Sequence, residues 1–517
     1  MSLASGMVAV VLTAASCTTG GSSDVGGGSS SDKTFDVAVG IDLDTLDPPQ
    51  MTTTTVANLV DYSVETLTKL AKDGSTVPGL ATSWNLAGDG KTLTLQLRKG
   101  VKFQDGTTFD AKAVKFNLER LLDPKVESPQ RAPYESISSI DTAGDSTVRL
   151  NLSHPDPALV AALSASSAGI ISPKSINAPG NSYTNVTHPV GTGPYSFVKY
   201  QQGDTVTFKK FDDYWGPKPY YENVVFHIVP EAATRESLVL AGQAEMAVLP
   251  PVADLQELQQ GDDTNVLLAP SDRTIFMAFK TPGDTFDNPE VRRAINYAVN
   301  KQAIIKNILF GAAEPMTAPV APSIEGYCNV GSYPFDPKKA EQMLSQAGVN
   351  KVTITVGTPT GRYLQDKEAT DAIAGNLRDV GLNVQIRTMD WASYIGAVDV
   401  PASQQKFDMH LLGWAPAFLD ASQQMLQFRS DQSPPNGLAT SLYSNKKVDA
   451  LSDAANTEMN TQQRNADFCK AWKTIWNDAP WLFLWVQKYP IVYSSDVTGV
   501  SYLPNEKFNA VYAKPAG

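Results

Sequence analysis

The chain has 517 residues, with 42 Lys or Arg against 54 Asp or Glu, a net charge of −12 at pH 7, and 42% hydrophobic residues. A chain of this length exceeds one hydrophobic core and implies two or three domains. Its acidic balance, without Lys/Arg blocks, argues against nucleic acid as a partner, because phosphates need basic contacts.

The first element in chain order is an uncharged, mostly small or apolar run from Leu3 to Ser16. It falls short of the ~20 residues a membrane-spanning helix needs and reads as the h-region of a signal peptide. It ends in "AASC", and the Gly/Ser-rich "TTGGSSDVGGGSSSDKT" that follows has the composition of flexible coil. Residues 1–17 therefore read as a leader ending at Cys17, and 18–33 as a tether. The pattern resembles a bacterial lipoprotein signal, in which Cys17 is acylated before the chain is cut in front of it. Ala14 stands where that signal usually carries leucine, and a basic n-region is missing. A leader with an incidental cysteine is the other reading. The remaining cysteines, Cys328 and Cys469, read either as two buried thiols or as a bridge; loop closure would then contribute roughly 5 kcal/mol in an exported chain.

"KTLTLQLRKGVKF" alternates apolar and polar residues at period two, "QDG" supplies a turn, and "DAKAVKFNLERLLDP" switches to helical spacing, with Asp110 as N-cap and Pro124 beyond the end. In "DNPEVRRAINYAVNKQAIIKNILFG", Asn288 can cap, Pro289 suits the first turn, and Val291, Ala294, Ile295, Ala298 and Val299 form one apolar face of a helix that Gly311 stops. "VTITV", the helical "DKEATDAIAGNLRDVG" and "LNVQIR" make a third unit, in which a helical connection favours parallel strands and a right-handed crossover. Strand and helix signals alternate without an internal repeat, so the class is α/β with mixed sheets.

The stretch "GLATSWNLAGDGKTLTLQLRKGVKFQDGTTFDAKAVKFNLERLLDP" resembles the signature region of the extracellular solute-binding proteins of ABC importers, in the dipeptide/oligopeptide/nickel-binding family (family 5). "GTGPYSFVKY", "DDYWGPKPYYENVVFHIVPEAATRESLVLAGQAEMA", "NPEVRRAINYAVNKQAIIKNILFGAAEPMTAPVAP" and "YPFDPKKAEQMLSQAG" follow in the family's order. The resemblance implies a two-lobed periplasmic-binding-protein-like fold (type II, cluster C). Lobe one would span 34–283, with an extra subdomain at about 78–187, and be completed by about 486–512; lobe two would span 284–485. It further implies a monomeric receptor, held to the outer face of the cell membrane by its lipid (periplasmic in a Gram-negative cell). Such a receptor closes on a small solute and delivers it to a permease with its ATPase, without catalytic residues or a cofactor.

Candidate solute contacts follow. Strand-like "DMHLLGW" leads into an irregular segment, where ligands of open α/β sheets lie. Trp414 there either stacks on a ligand or packs in the core, and Asp420 either accepts from a ligand or caps the helix "ASQQMLQF". In peptide-binding relatives the residue four places after that glycine is usually an aspartate that pairs with the peptide ammonium; here it is Ala417. Arg362 in "GTPTGRYLQDKEA" lies where dipeptide-binding relatives place the arginine that receives a carboxylate, a role suited to a guanidinium fork. Trp391 is a further stacking candidate, and Thr54 and Thr55 in "MTTTTVANLVDY" could offer hydroxyls from the first lobe. A retained anion site with a lost cation site suggests a ligand with a carboxylate and no obligatory free amine, or a neutral one, unless Asp420 or another acid substitutes; a peptide or peptide-like carboxylate is the solute expected. Oligosaccharide, opine-like compound and chelated nickel are alternatives on the same fold.

Other classes have less support. Only His154, His188, His227 and His410 are available as bases, none within a recognisable nucleophile elbow, so an enzyme is not expected. No HExxH, cysteine pair or histidine cluster provides a protein-only metal site. A surface sensor or adhesin lipoprotein is the remote alternative.

Overall fold

A computed structural model describes residues 33–517 apart from 284, 350 and 436; the leader, Cys17 and residues 18–32 of the expected tether lie outside the described residues. One mixed sheet of eleven strands organises the chain. The strands are β1 (Thr34–Val39), β2 (Tyr195–Gln201), β3 (Thr205–Lys210), β4 (Asn223–Ile228), β5 (Met246–Val248), β6 (Thr264–Phe279), β7 (Ala313–Pro315), β8 (Thr353–Pro359), β9 (Asn383–Met389), β10 (Met409–Trp414) and β11 (Trp481–Ser494). In space the order is β9-β8-β10-β6-β11-β5-β1-β4-β3-β2, and β7 pairs on β11.

The expected strand-helix-strand unit is β8, the helix Asp366–Asp379 and β9. The two strands pair in parallel from Thr353↔Asn383 to Pro359↔Met389, and Ala369, Ile373, Ala374 and Leu377 bury the helix's apolar stripe. A second group of parallel strands, β4-β1-β5, forms the other end of the sheet around Phe35, Val37, Val224 and Phe226.

The two ends are joined by β6 and β11, which run antiparallel through both. Thr264–Pro270 pair with Ser494–Lys488, the ladder is interrupted at Ser271, Asp272 and Arg273, and it resumes at Thr274↔Val486. Beyond the interruption β6 also pairs with β10. The pairing of β6 thus changes at 271–273, within the segment 34–283 expected for lobe one.

A separate antiparallel sheet, in the order Ala81–Leu86, Thr92–Leu97, Thr147–Leu152, Ile137–Thr142, packs on the helix Ala111–Leu122. Asp110 caps that helix by accepting from the Ala113 N–H at 2.8 Å. Phe418, which follows β10, is buried in this subdomain's core, so the two lobes touch there. Leu70, on the short hairpin Thr68–Leu70/Thr76–Pro78, reaches back onto the second lobe's aromatic core.

The expected single helix after Asn288 is two helices, Pro289–Ala298 and Lys301–Asn307. Val299 is extended (φ −100°, ψ 124°), and the Asn300 side chain caps the second helix by accepting from the Ala303 N–H at 3.0 Å. Apolar spacing alone did not reveal this cap. Cys328 and Cys469 form a disulfide, Cα–Cα 5.4 Å, tying the loop at 328 to the helix Thr461–Asp478.

Candidate functional site

Two adjoining cavities lie where the lobes face each other. One, of about 220 Å³, is bounded by Thr52–Thr54 of the first lobe and by Tyr363, Trp391 and Trp414 of the second. The other, of about 330 Å³, is bounded by Gly40, Thr55, Glu231 and Glu506 on one side and by Arg362–Gln365 on the other. Thr53, Thr54, Arg273, Arg362 and Tyr363 line both.

Arg362 stands just past the carboxyl end of β8, in a turn organised by Asp366. The Asp366 carboxylate accepts from the backbone N–H of Gly361 (3.1 Å), Arg362 (2.8 Å), Tyr363 (3.1 Å) and Lys367 (2.9 Å). Burial pushes this carboxyl up and the four N–H donors oppose that shift. The Arg362 guanidinium lies 5.0 Å from the ring centres of both Tyr363 and Trp391, and no carboxylate lies within ion-pair distance of it among the described residues. Burial pulls it below the ordinary arginine range, and the nearby Arg273 charge adds to that pull. Charged, aromatic-flanked and without an internal acid, it can offer its fork to an anion that enters the cleft.

Arg273 is differently placed. Its guanidinium is gripped by Glu506, Nε to Oε1 at 2.7 Å and Nη2 to Oε2, in a pair that is nearly fully buried. Burial works against its charge, yet Glu506 holds it above the ordinary arginine range. Beside it Asp272 is fully buried, neither carboxylate oxygen has a hydrogen-bond partner among the described residues, and burial followed by repulsion from Glu506 raises its carboxyl well above the usual range. This group forms at the interruption in β6, because Glu506 is brought to Arg273 by a segment 233 residues away.

Trp391 begins the helix Trp391–Val398 and meets Tyr363 edge-on, 6.0 Å between ring centres. Trp414 ends β10 opposite Thr274, and its indole N–H is buried without an acceptor among the described residues. That is a buried donor without a partner, on a residue that lines the smaller cavity. Arg362, Trp391, Trp414 and Thr54 therefore come together around one cavity, with Thr55 lining its neighbour.

The family model for bacterial extracellular solute-binding proteins, family 5, matches residues 75–436. The chain belongs to that family. It is 31% identical over 476 residues to a glutathione-binding protein of Salmonella paratyphi A, covering 92% of this chain and 93% of the relative. A Helicobacter pylori ABC transporter-associated periplasmic binding protein, solved with the peptide STSA, superposes with TM-score 0.82 at 26% identity, covering 94% of this chain and 98% of that one. The fold is also that of a Campylobacter jejuni protein solved with Ni(L-His), at TM-score 0.79 and 24% identity over 92% of this chain and 96% of that one.

Within this family 5 frame two sequence-derived candidates lie elsewhere. Ala417 is exposed and borders neither cavity. Asp420 is 4% exposed, accepts from the Ser422 N–H at 2.9 Å as the cap of Ala421–Met425, and is held by Arg464 through two bonds of 2.8 and 2.7 Å. Both of its oxygens are committed within the protein, as the helix-cap alternative requires. Sequence reading also missed Asp366, Arg273, Tyr363 and Asp399. The signal for Asp366 was present as an aspartate four residues after Arg362 at a helix start; Arg273 and Asp399 had no local signal. None of the four histidines lines either cavity, and His410 is fully buried, with its imidazole pulled down to about 3 by burial and therefore neutral.

Proposed function

We propose that this family 5 protein is the solute-binding component of an ABC importer and that its solute is a peptide or peptide-like carboxylate, seated with the carboxylate on Arg362. The observation that carries the reading is a guanidinium without an acid partner among the described residues, flanked by Tyr363 and Trp391, in a cavity walled by both lobes. A carboxylate there gains two parallel charge-assisted bonds from the guanidinium fork. Trp414 can give its indole N–H to a ligand carbonyl, and Thr54 and Thr55 bring the first lobe into contact. A solute that touches both lobes favours the closed form, and that difference in affinity is the only work the receptor does. The glutathione-binding relative and the STSA complex support the solute class.

Delivery would be to the permease and ATPase of the cognate importer by a monomer working outside the cytoplasm, with Cys17 as the site of a lipid anchor. Two or more acyl chains hold a protein stably where one does not. Native mass spectrometry of protein purified without refolding, followed by calorimetric titration with glutathione and with Ser-Thr-Ser-Ala, tests the solute class. A co-purified sugar or nickel chelate, with no peptide binding, would replace the reading.

A further inference from the structure

Of the two cavities that Arg362 lines, the one walled by Trp391 and Trp414 has one carboxylate among its described lining residues, Asp399. We propose that Asp399 is the cation receptor of this cleft, so that the solute is a peptide-like zwitterion with a free ammonium group; the inference rests on the peptide-like reading above.

Three observations converge on it. Asp420 is closed off by Arg464, and Ala417 has no acid to give, so the irregular segment after β10 offers no free carboxylate. Asp399 is solvent-exposed at the cavity wall and its side chain has no hydrogen-bond or ion-pair partner among the described residues, so its carboxylate is free to receive a cation; slight desolvation pushes its carboxyl upward. It also sits directly after the helix Trp391–Val398, as its C-cap, with its own N–H donated to the Ile395 carbonyl. The carboxyl end of a helix carries partial negative charge and favours a cation, so carboxylate and helix end act in the same direction.

The same short helix thus serves both ends of a solute. Trp391 at its start flanks the anion-receiving Arg362, and Asp399 closes its finish. Trp391, Ile395 and Val398 between them give the wall an apolar surface for the solute's own body. Glu231 and Glu506 line the neighbouring cavity; Glu506 is taken by Arg273, which leaves Glu231 as the competing acid.

Calorimetric titration of the full chain with glutathione and Ser-Thr-Ser-Ala, each with its Nα-acetylated counterpart, reads this directly. The wild type should bind the free-amine form at least about tenfold more tightly. Asp399→Asn should lose that preference while keeping its affinity for the acetylated form, and Glu231→Gln should keep the preference. Equal binding of both forms by the wild type, a preference retained in Asp399→Asn, or one lost in Glu231→Gln would each overturn the assignment and leave the peptide-like reading standing. Failure of all four compounds to bind the wild type would remove that reading and the assignment with it.

Discussion

Arg464 and Asp420 meet end to end, Nη1 to Oδ2 at 2.8 Å and Nη2 to Oδ1 at 2.7 Å, with each side chain 5% exposed. Removing one member leaves the other charge buried and unpaired. Asp420→Ala should therefore lower stability by about 3–5 kcal/mol. Chemical denaturation would show it, while solute affinity measured well below the melting temperature should change little.

Arg362→Ala should weaken a carboxylate solute by about 2–5 kcal/mol. Its guanidinium makes no ion pair among the described residues, so the melting temperature of the solute-free protein should stay close to wild type. Unchanged affinity in calorimetry would remove Arg362 from the site.

Trp414→Phe keeps an aromatic wall but deletes the buried indole N–H that has no acceptor among the described residues. If a solute accepts that bond, affinity should fall by about 0.5–1.5 kcal/mol. The solute-free variant should be as stable as wild type or slightly more so, since a lone buried donor is lost.

Asp272 gives the molecule a pH dependence of definite sign. Its folded-state carboxyl is held protonated to higher pH by burial and by Glu506, while in the unfolded chain it ionises in the ordinary carboxylate range. The unfolded state therefore binds fewer protons, and stability falls as pH rises through that window, by up to about 1.4 kcal/mol per pH unit. Thermal denaturation from pH 4 to 8 should show Asp272→Asn declining less steeply than wild type and surpassing it at the alkaline end.

Reduction of Cys328–Cys469 opens a loop of 141 residues. Loss of such a bridge typically costs about 2–5 kcal/mol. Melting with and without dithiothreitol should show the difference, and Cys328→Ala/Cys469→Ala should melt at the reduced temperature under both conditions.

What was legible in the chain is what depends on neighbours in sequence. The Asp110 cap, the Asn288 cap ahead of Pro289 and the parallel pair around Asp366–Asp379 all follow from residues a few positions apart. The break between Ala298 and Lys301 was hidden because the apolar face continues through buried Val299, and only Asn300 marks the stop. The candidate site divides in the same way. Arg362, Trp391 and Trp414 sit at strand ends or helix starts, where motif position indicated them. The fate of Asp420 depended on Arg464 and that of Arg273 on Glu506, partners 44 and 233 residues away, and no local pattern records such meetings.

The passage of β6 and β11 through both ends of the sheet has a practical consequence for anyone who wishes to take the receptor apart. A fragment ending at 283 would carry away the strand to which β10 pairs, stripping the remaining half of a central rib. Neither half is a module that can be borrowed or grafted, and the hand that grips and the wrist that bends are woven from the same two threads.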